Sequence, residues 1–267
     1  MKPVAFDYAR PASLGEAIGL LAGTADAKVL AGGQTLGPML NLRLAQPALL
    51  VDITRIPELA AVHEHADAIT LGATVTHAAI EDRRVADPTG GFLARVARGI
   101  AYRAVRTRGT IGGSLAHADP AADWLACLTA LGAEVVARGP HGERRLPAAQ
   151  LVRGAMETDL AHDEIIAGIR IPRFSREARF GYHKICRKTG EFAEAIGVAV
   201  HEPARNLFRL ITSTPGGKPI VLEDRSFPTD AADLKRQLAA AGLTNDAYEM
   251  NVHTAALQRA VAEASAA

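Results

Sequence analysis

Lys28-Val29-Leu30-Ala31-Gly32-Gly33-Gln34-Thr35-Leu36-Gly37-Pro38-Met39-Leu40 opens as a short apolar run and breaks into a glycine pair. Pro38 then stands where the first turn of a helix tolerates proline best, so the stretch predicts strand, tight turn and helix. Gly32 and Gly33 permit φ > 0 and let backbone approach a ligand with no Cβ in the way. N–H groups left free at such a turn suit a phosphate or pyrophosphate. Taken alone, a Gly-Gly pair is more often plain turn punctuation ahead of a helix. The stretch is not a P-loop, since no Gly-Lys-Ser/Thr follows, nor a G-x-G-x-x-G fingerprint.

A second stretch shifts the balance. Arg108-Gly109-Thr110-Ile111-Gly112-Gly113-Ser114-Leu115-Ala116-His117-Ala118-Asp119-Pro120-Ala121-Ala122-Asp123 is again glycine-paired and hydroxyl-bearing. It reads as a loop running toward a helix, with Asp119 as N-cap and Pro120 as the first helical residue. Two such loops suit the two phosphates of a dinucleotide.

Around the first stretch the pattern is βαβ-like. Ser13 and Glu16 form a capping box, and Leu14, Ile18 and Leu21 lie on one face of the helix that follows. A strand over Lys28–Leu30, the glycine turn, a helix to about Leu44 and a strand over Leu49–Val51 complete the unit. The turn sits at the carboxyl end of a strand, where ligands bind in α/β sheets. From Ile56-Pro57 onward the segments shorten. Ala68–Ala73 reads as a strand and Thr76 as a helix cap. His77 is a surface or packing residue, having no paired acid or nucleophile. Phe92, Val96 and Ile100 share a helical face, and Trp124, Leu125, Leu128 and Leu131 belong to a buried helix. Glu134–Ala137 and Arg144–Leu146 flank a Gly-Pro-His-Gly hairpin turn, and Glu164–Ile171 is a strand ending at Pro172. The proline-led Pro172–Arg176 segment is the expected domain boundary, dividing 1–172 (subdomains about 1–55 and 56–172) from 173–267. Beyond it, strands over Arg179–Cys186, Ala195–His201 and Leu207–Thr212 precede helices over Ala231–Ala241 and Val252–Ala264. That order predicts an antiparallel sheet with helices on one face, and hence an α+β chain.

Of the 267 residues, 48% are hydrophobic, and the formal net charge of +1 gives no electrostatic footprint for nucleic acid. No apolar run reaches the ~18 residues of a spanning helix. No signal peptide precedes Phe6-Asp7, so a cytoplasmic chain is expected. The two cysteines, Cys127 and Cys186, are far apart and cannot supply the four ligands of an iron–sulfur cluster. They read as buried, reduced thiols. No G-x-S-x-G, H-E-x-x-H or other metal-ligand cluster is present. Asp123 is either a solvated first-turn acid favoured by the helix dipole or an acceptor for a ligand N–H or hydroxyl.

Together, AGGQTLGPMLNLRL and TIGGSLAHADPAAD resemble the FAD-binding medium subunit of the molybdenum hydroxylases, the carbon monoxide dehydrogenase and xanthine dehydrogenase family. The resemblance extends over nearly the whole chain. It implies a two-subdomain FAD-binding domain of the vanillyl-alcohol-oxidase/PCMH-like type, followed by a C-terminal domain of three-stranded antiparallel sheet with helices. Residue by residue, Ala31, Gly32, Gly33, Gln34, Thr35 and Leu36 match the loop that cradles the FAD pyrophosphate. Thr110, Ile111, Gly112, Gly113 and Ser114 match the second loop. Asp123 matches an acid that contacts the cofactor, and Ile166 an apolar contact on the adenine or ribose side. Ile100 matches a position beside the isoalloxazine, and Lys184 a lysine reaching in from the C-terminal domain. Relatives commonly carry His-Ser or Asn-Thr/Ser at Gln34-Thr35, and those near carbon monoxide dehydrogenase usually hold tyrosine where Phe192 stands, a candidate aromatic contact with the flavin.

The resemblance further implies an electron-transfer role in a heterotrimer, expected to be doubled. A molybdenum-cofactor large subunit and a [2Fe–2S] small subunit are the expected partners, with FAD as this chain's only cofactor. Two other readings remain open at this point. A self-contained FAD-dependent oxidoreductase of the same fold would need a proton-handling pair, and none is evident. A nucleotide-binding interaction module would have no need of a doubled glycine motif.

Overall fold

Ser13 starts the first helix as its sequence predicts, its Oγ accepting from the Glu16 N–H at 3.2 Å. Glu16 reaches back to the Ala12 N–H at 2.9 Å. The computed structural model describes residues 1–224, 226–228, 230–243 and 246–266. Its first layer runs β1 (Asp7–Ala9), α1 (Leu14–Ala22), β2 (Ala27–Leu30), α2 (Leu36–Asn41) and β3 (Leu49–Asp52). The three strands are parallel in the order β1-β3-β2. Leu14, Ala17 and Leu21 of α1 bury against Val51, Ile53, Ile56 and Leu59. Helix α2 is shorter than its sequence suggests. It begins at Leu36, two residues before Pro38, and stops at Asn41, after which Arg43 turns left-handed (φ 58°).

The second layer follows as α3 (Pro57–Ala60), β4 (Val62–Glu64), β5 (Ala68–Gly72), α4 (His77–Glu81), α5 (Phe92–Gly99), α6 (Arg103–Arg106), α7 (Ile111–His117) and α8 (Asp123–Ala130). Then come β6 (Glu134–Gly139), β7 (Gly142–Pro147), α9 (Ala148–Leu151), the short pair β8 (Val152–Gly154) and β9 (Glu157–Thr158), and β10 (Ile165–Pro172). Its antiparallel sheet has the order β4-β5-β10-β6-β7, so β10 is central and both its faces are covered. A bulge between Ile166 and Gly168 switches the strand's facing, sending Ile169 and Ile171 into the main core and Ile165 toward the first layer. The hairpin β6–β7 closes at Gly142, whose φ of 113° suits only glycine.

The third layer differs from expectation in one respect. Its antiparallel sheet has four strands: β11 (Arg179–Ile185), β12 (Ala195–Glu202), β13 (Leu207–Thr212) and β14 (Ile220–Asp224). The fourth is a half-exposed edge strand, so its residues lack the apolar alternation that marks a buried strand. Two helices, α10 (Ala231–Ala240) and α11 (Ala247–Ala266), cover one face. Helix α11 approaches unusually closely because β11 and β12 carry glycines beneath it. A Cβ on Gly197 would lie 2.4 Å from the Ala256 carbonyl carbon, and one on Gly181 would lie 1.8 Å from the Ala260 oxygen.

These contacts leave backbone against backbone, so a single methyl has nowhere to go. Gly197→Ala should destabilise the fold by about 3 kcal/mol in urea denaturation. Gly15→Ala, on α1 with open space around it, should be neutral or add up to about 1 kcal/mol. Equal effects at the two positions would show that the close packing of α11 does not constrain the sheet.

Candidate functional site

Backbone contact brings the two glycine stretches together. A Cβ on Gly32 would lie 2.1 Å from the Arg108 carbonyl oxygen and 2.9 Å from the Gly109 Cα. The second stretch is stitched to the segment after β5: Gly112 donates to Ala73 O (3.0 Å), Ile111 to Val75 O (3.0 Å) and His77 to Gly109 O (2.9 Å). A Cβ on Gly112 would lie 2.5 Å from that of Ala73. A cleft of about 540 Å³ opens between these loops, β10 and the C-terminal sheet.

The two stretches present different chemistry. In the first, Gly33 takes φ 70°, and the N–H groups of Gly33, Gln34, Thr35 and Leu36 donate to no described residue. In the second, Thr110, Ile111, Gly112, Gly113 and Ser114 are not a loop but the N-cap and first turn of α7. Ile111 and Gly112 donate as above, Gly113 donates to Thr110 Oγ1 and Ser114 to Thr110 O. The second motif therefore contributes bare glycine surface and the Ser114 hydroxyl rather than free N–H groups. Ile111 lies in the core, fully buried and away from the cleft, because helical spacing places it on the apolar face it shares with Leu115 and Ala118.

Ala31, Gly32, Gly33, Gln34, Thr35, Leu36, Ile100, Thr110, Gly112, Gly113, Ser114, Asp123, Ile166, Lys184 and Phe192 all border the cleft. Asp119 does not cap a helix. Its Oδ1 accepts from the Ala121 N–H in a local turn, and α8 starts later, at Asp123. That shift comes from Ala118, whose left-handed φ of 53° ends α7 and redirects the chain.

Asp123 is neither solvated nor free. It accepts from the Tyr182 hydroxyl and pairs with Lys184 Nζ at 3.1 Å, while Lys184 also donates to Gly99 O at 3.0 Å. Burial pushes the Asp123 carboxyl up, the Lys184 charge and the Tyr182 hydrogen bond opposing it. Burial and then the Asp123 charge push the Tyr182 hydroxyl and the Cys127 thiol far up, so neither ionises in the ordinary range. Cys127 is buried as expected, whereas Cys186, near the end of β11, is only half-buried.

Residues that the sequence did not single out complete the site. Val29, Met39, Ile53, Leu160 and Ile165 supply apolar wall. No periodicity marks them, since each comes from a different element. Arg106, nearly buried on α6, places Nε and Nη2 on the two Glu81 oxygens (2.8 and 3.2 Å) and Nη1 on the carbonyls of Ile100 and Ala101 (2.8 and 2.9 Å). Those contacts hold Ala101 at φ 43°, a left-handed geometry unusual for alanine, at the cleft rim. Gly190 packs on the same turn, where a Cβ would meet the Tyr102 ring at 3.0 Å. Phe192 follows it and is 68% exposed.

Residues 4–174 match the family described as the FAD binding domain in molybdopterin dehydrogenase. The chain is 41% identical over 201 residues to the carbon monoxide dehydrogenase medium chain of Hydrogenophaga pseudoflava, covering 75% of this chain and 70% of that one. The chain belongs to this family. The FAD-binding subunit is also 40% identical over 202 residues to the caffeine dehydrogenase subunit beta of Pseudomonas sp. (strain CBB1), covering 75% and 68% of the two chains. Its fold superposes on the structure of carbon monoxide dehydrogenase from Hydrogenophaga pseudoflava lacking the Mo-pyranopterin moiety, with a TM-score of 0.88 at 32% identity. The likeness to quinoline 2-oxidoreductase from Pseudomonas putida 86 has a TM-score of 0.86 at 29% identity. Both structural matches cover 100% of this chain and 99% of the other.

The residues present fit the cofactor that the family implies. Four consecutive N–H groups with no partner among the described residues border a cleft whose remaining wall is largely apolar, which suits a diphosphate joined to flat rings. The Arg106 clamp shapes that cleft from outside it. Arg106→Gln leaves Glu81 its Arg103 partner at 2.6 Å but takes the charged donor from the Ile100 and Ala101 carbonyls, and should destabilise the fold by about 2 kcal/mol in chemical denaturation. A loss below about 1 kcal/mol would mean that the Ile100–Ala101 turn holds its shape without the guanidinium.

Proposed function

We propose that this subunit binds FAD in the cleft and carries electrons from an iron–sulfur partner through the flavin to an external acceptor. The observation that carries the reading is the run of free N–H groups from Gly33 to Leu36 beside the bare backbone of Gly113. The bound flavin supplies the redox chemistry, since it accepts and passes on electrons that no side chain here can store. The chain's own residues bind and orient. Ala31 and Gly32 hold the first loop against the second stretch, and the N–H groups of Gly33, Gln34, Thr35 and Leu36 receive the diphosphate. Thr110 shapes the first turn of α7, from which the Ser114 hydroxyl faces the cleft. Ile166 packs on the adenosine side and Ile100 beside the ring.

Asp123 and Lys184 act on the ring side as a pre-formed pair. Lys184 spends contacts on Gly99 and Asp123, which fixes its ammonium at the cleft wall instead of leaving it to swing. Phe192, exposed at the mouth, offers a π surface without a hydroxyl, so nothing at that position can take part in proton transfer. The site lies between 1–172 and 173–267, which we take as the two domains. The first is read as the two subdomains 1–55 and 56–172 of the vanillyl-alcohol-oxidase/PCMH-like type. The start of β11 at Arg179 supports that division.

The assembly inferred is a heterotrimer with a molybdenum-cofactor large subunit and a [2Fe–2S] small subunit, doubled and cytoplasmic. Relatives are named as medium, beta or FAD subunits, which supports such partners. No helix among the described residues is long and apolar enough to cross a membrane.

Gly33→Val forces a branched residue to φ 70° and places its Cβ 3.2 Å from Leu30 Cδ1. FAD affinity should fall at least about tenfold, about 1.4 kcal/mol, in a fluorescence titration. Unchanged flavin retention would remove the diphosphate from this loop. The purified chain should bind FAD yet reduce it with no heterocycle, aldehyde or carbon monoxide until both partner subunits are supplied. Substrate-dependent bleaching of the flavin in the isolated chain would instead support the self-contained oxidoreductase.

A further inference from the structure

His77 opens α4 beneath the contact between the glycine stretches, and the function above assigns it nothing. Its side chain borders the cleft yet the residue is only 5% exposed. Trp124, fully buried on α8, donates its Nε1–H to His77 Nδ1 at 3.0 Å. An Nδ1 that accepts leaves the proton of the neutral ring on Nε2. Burial and the nearby Arg106 charge lower the His77 pKa to about 4, so the ring is neutral across the ordinary range. No described residue accepts from Nε2–H, and this atom is not among the fully enclosed unpartnered ones, so it opens on the cleft that His77 lines. The Cδ2–Nε2 edge lies against Gly109, where a Cβ would come within 2.9 Å of both atoms. Gly109 in turn touches Gly32 of the first loop. Glycine at position 109 thus leaves a fixed, neutral N–H donor uncovered close to the junction of the two loops.

We propose that His77 Nε2–H donates a hydrogen bond to an oxygen in the diphosphate–ribityl stretch of the bound dinucleotide, and that Trp124 is the positioning residue that sets its tautomer. This rests on the FAD reading of the cleft. A neutral donor suits the place: it adds a directed contact without a second positive charge beside Arg106. A histidine that served only to satisfy the Trp124 N–H would use Nδ1 alone, and its Nε2 could be any apolar atom.

The test uses the full chain, stripped of flavin and titrated with FAD by fluorescence quenching. His77→Phe keeps a ring of similar shape and removes both nitrogens, and should weaken FAD binding at least about tenfold. His77→Gln retains an amide N–H and should stay within about threefold of the unsubstituted chain. Equal losses in the two variants, or FAD affinity in His77→Phe within about twofold of the starting value, would overturn the proposal. A second measurement covers the case in which His77→Phe fails to fold. In the unsubstituted chain with labelled histidine, the His77 Nε2–H resonance should move downfield and gain exchange protection when FAD is added. A resonance that ignores FAD while FAD binds would refute the hydrogen bond. An unsubstituted chain that binds no FAD would instead bring down the reading of the cleft itself.

Discussion

Gly32 meets the backbone of Arg108 and Gly109 with no room for a side chain on either glycine. This contact joins the parallel layer to the antiparallel one at the point where the cleft begins. A Cβ at Gly32 would overlap a carbonyl oxygen at 2.1 Å, and backbone cannot rotate aside as a side chain does. The neighbouring bonds from Ile111, Gly112 and His77 then fix the height of the second stretch against β5. Gly112 also borders the cleft, but a Cβ there would overlap Ala73, so the packing by itself requires glycine at that position.

The unequal roles of the two stretches follow from hydrogen-bond accounting. A helix start must find acceptors for its first N–H groups, and α7 finds them in Thr110, Ala73 and Val75. The turn after β2 finds none among the described residues, so its donors remain available for a ligand that carries charge. At the Asp123 end of the cleft the same accounting pairs Asp123 with Tyr182 and Lys184, and Lys184 with Gly99 O, across the boundary between the second and third layers. Removing Asp123 would take the counter-charge from the buried Lys184 ammonium, so this pair holds its wall of the cleft stiffly. Such rigidity suits a protein whose task is to place a redox group at a set distance and orientation from partners.

Much of this was readable from local patterns. The capping box at Ser13, the hairpin at Gly142, the buried helix around Trp124 and the glycine turn after Leu30 each depend on residues within one turn or one strand. Errors arose where distant residues decide. Asp119 looked like a cap because aspartate before proline usually is one, yet the left-handed Ala118 moved the helix start to Asp123. Residues Ile220–Asp224 make a strand because β13 offers a free edge, not because their own pattern asks for one. The second glycine pair resembled a loop, since glycine is a poor helix former. Tertiary acceptors at Ala73 and Val75 outweigh that preference.

Sequence alone therefore determined the longer elements and their order, the two glycine motifs and the family resemblance that names a cofactor. Each of these is written in short-range spacing or in residue types that only a few backbone shapes accept. Only the tertiary structure decided which of the motif N–H groups remain free, that Ile111 turns away from the cleft, and that Asp123 is paired with Lys184. It alone placed His77 beneath Gly109 and joined Arg106 to the Ile100–Ala101 turn. Most of those facts depend on groups far apart in the chain, as Asp123 and Lys184 are, and a donor's availability is settled by what lies opposite it in space.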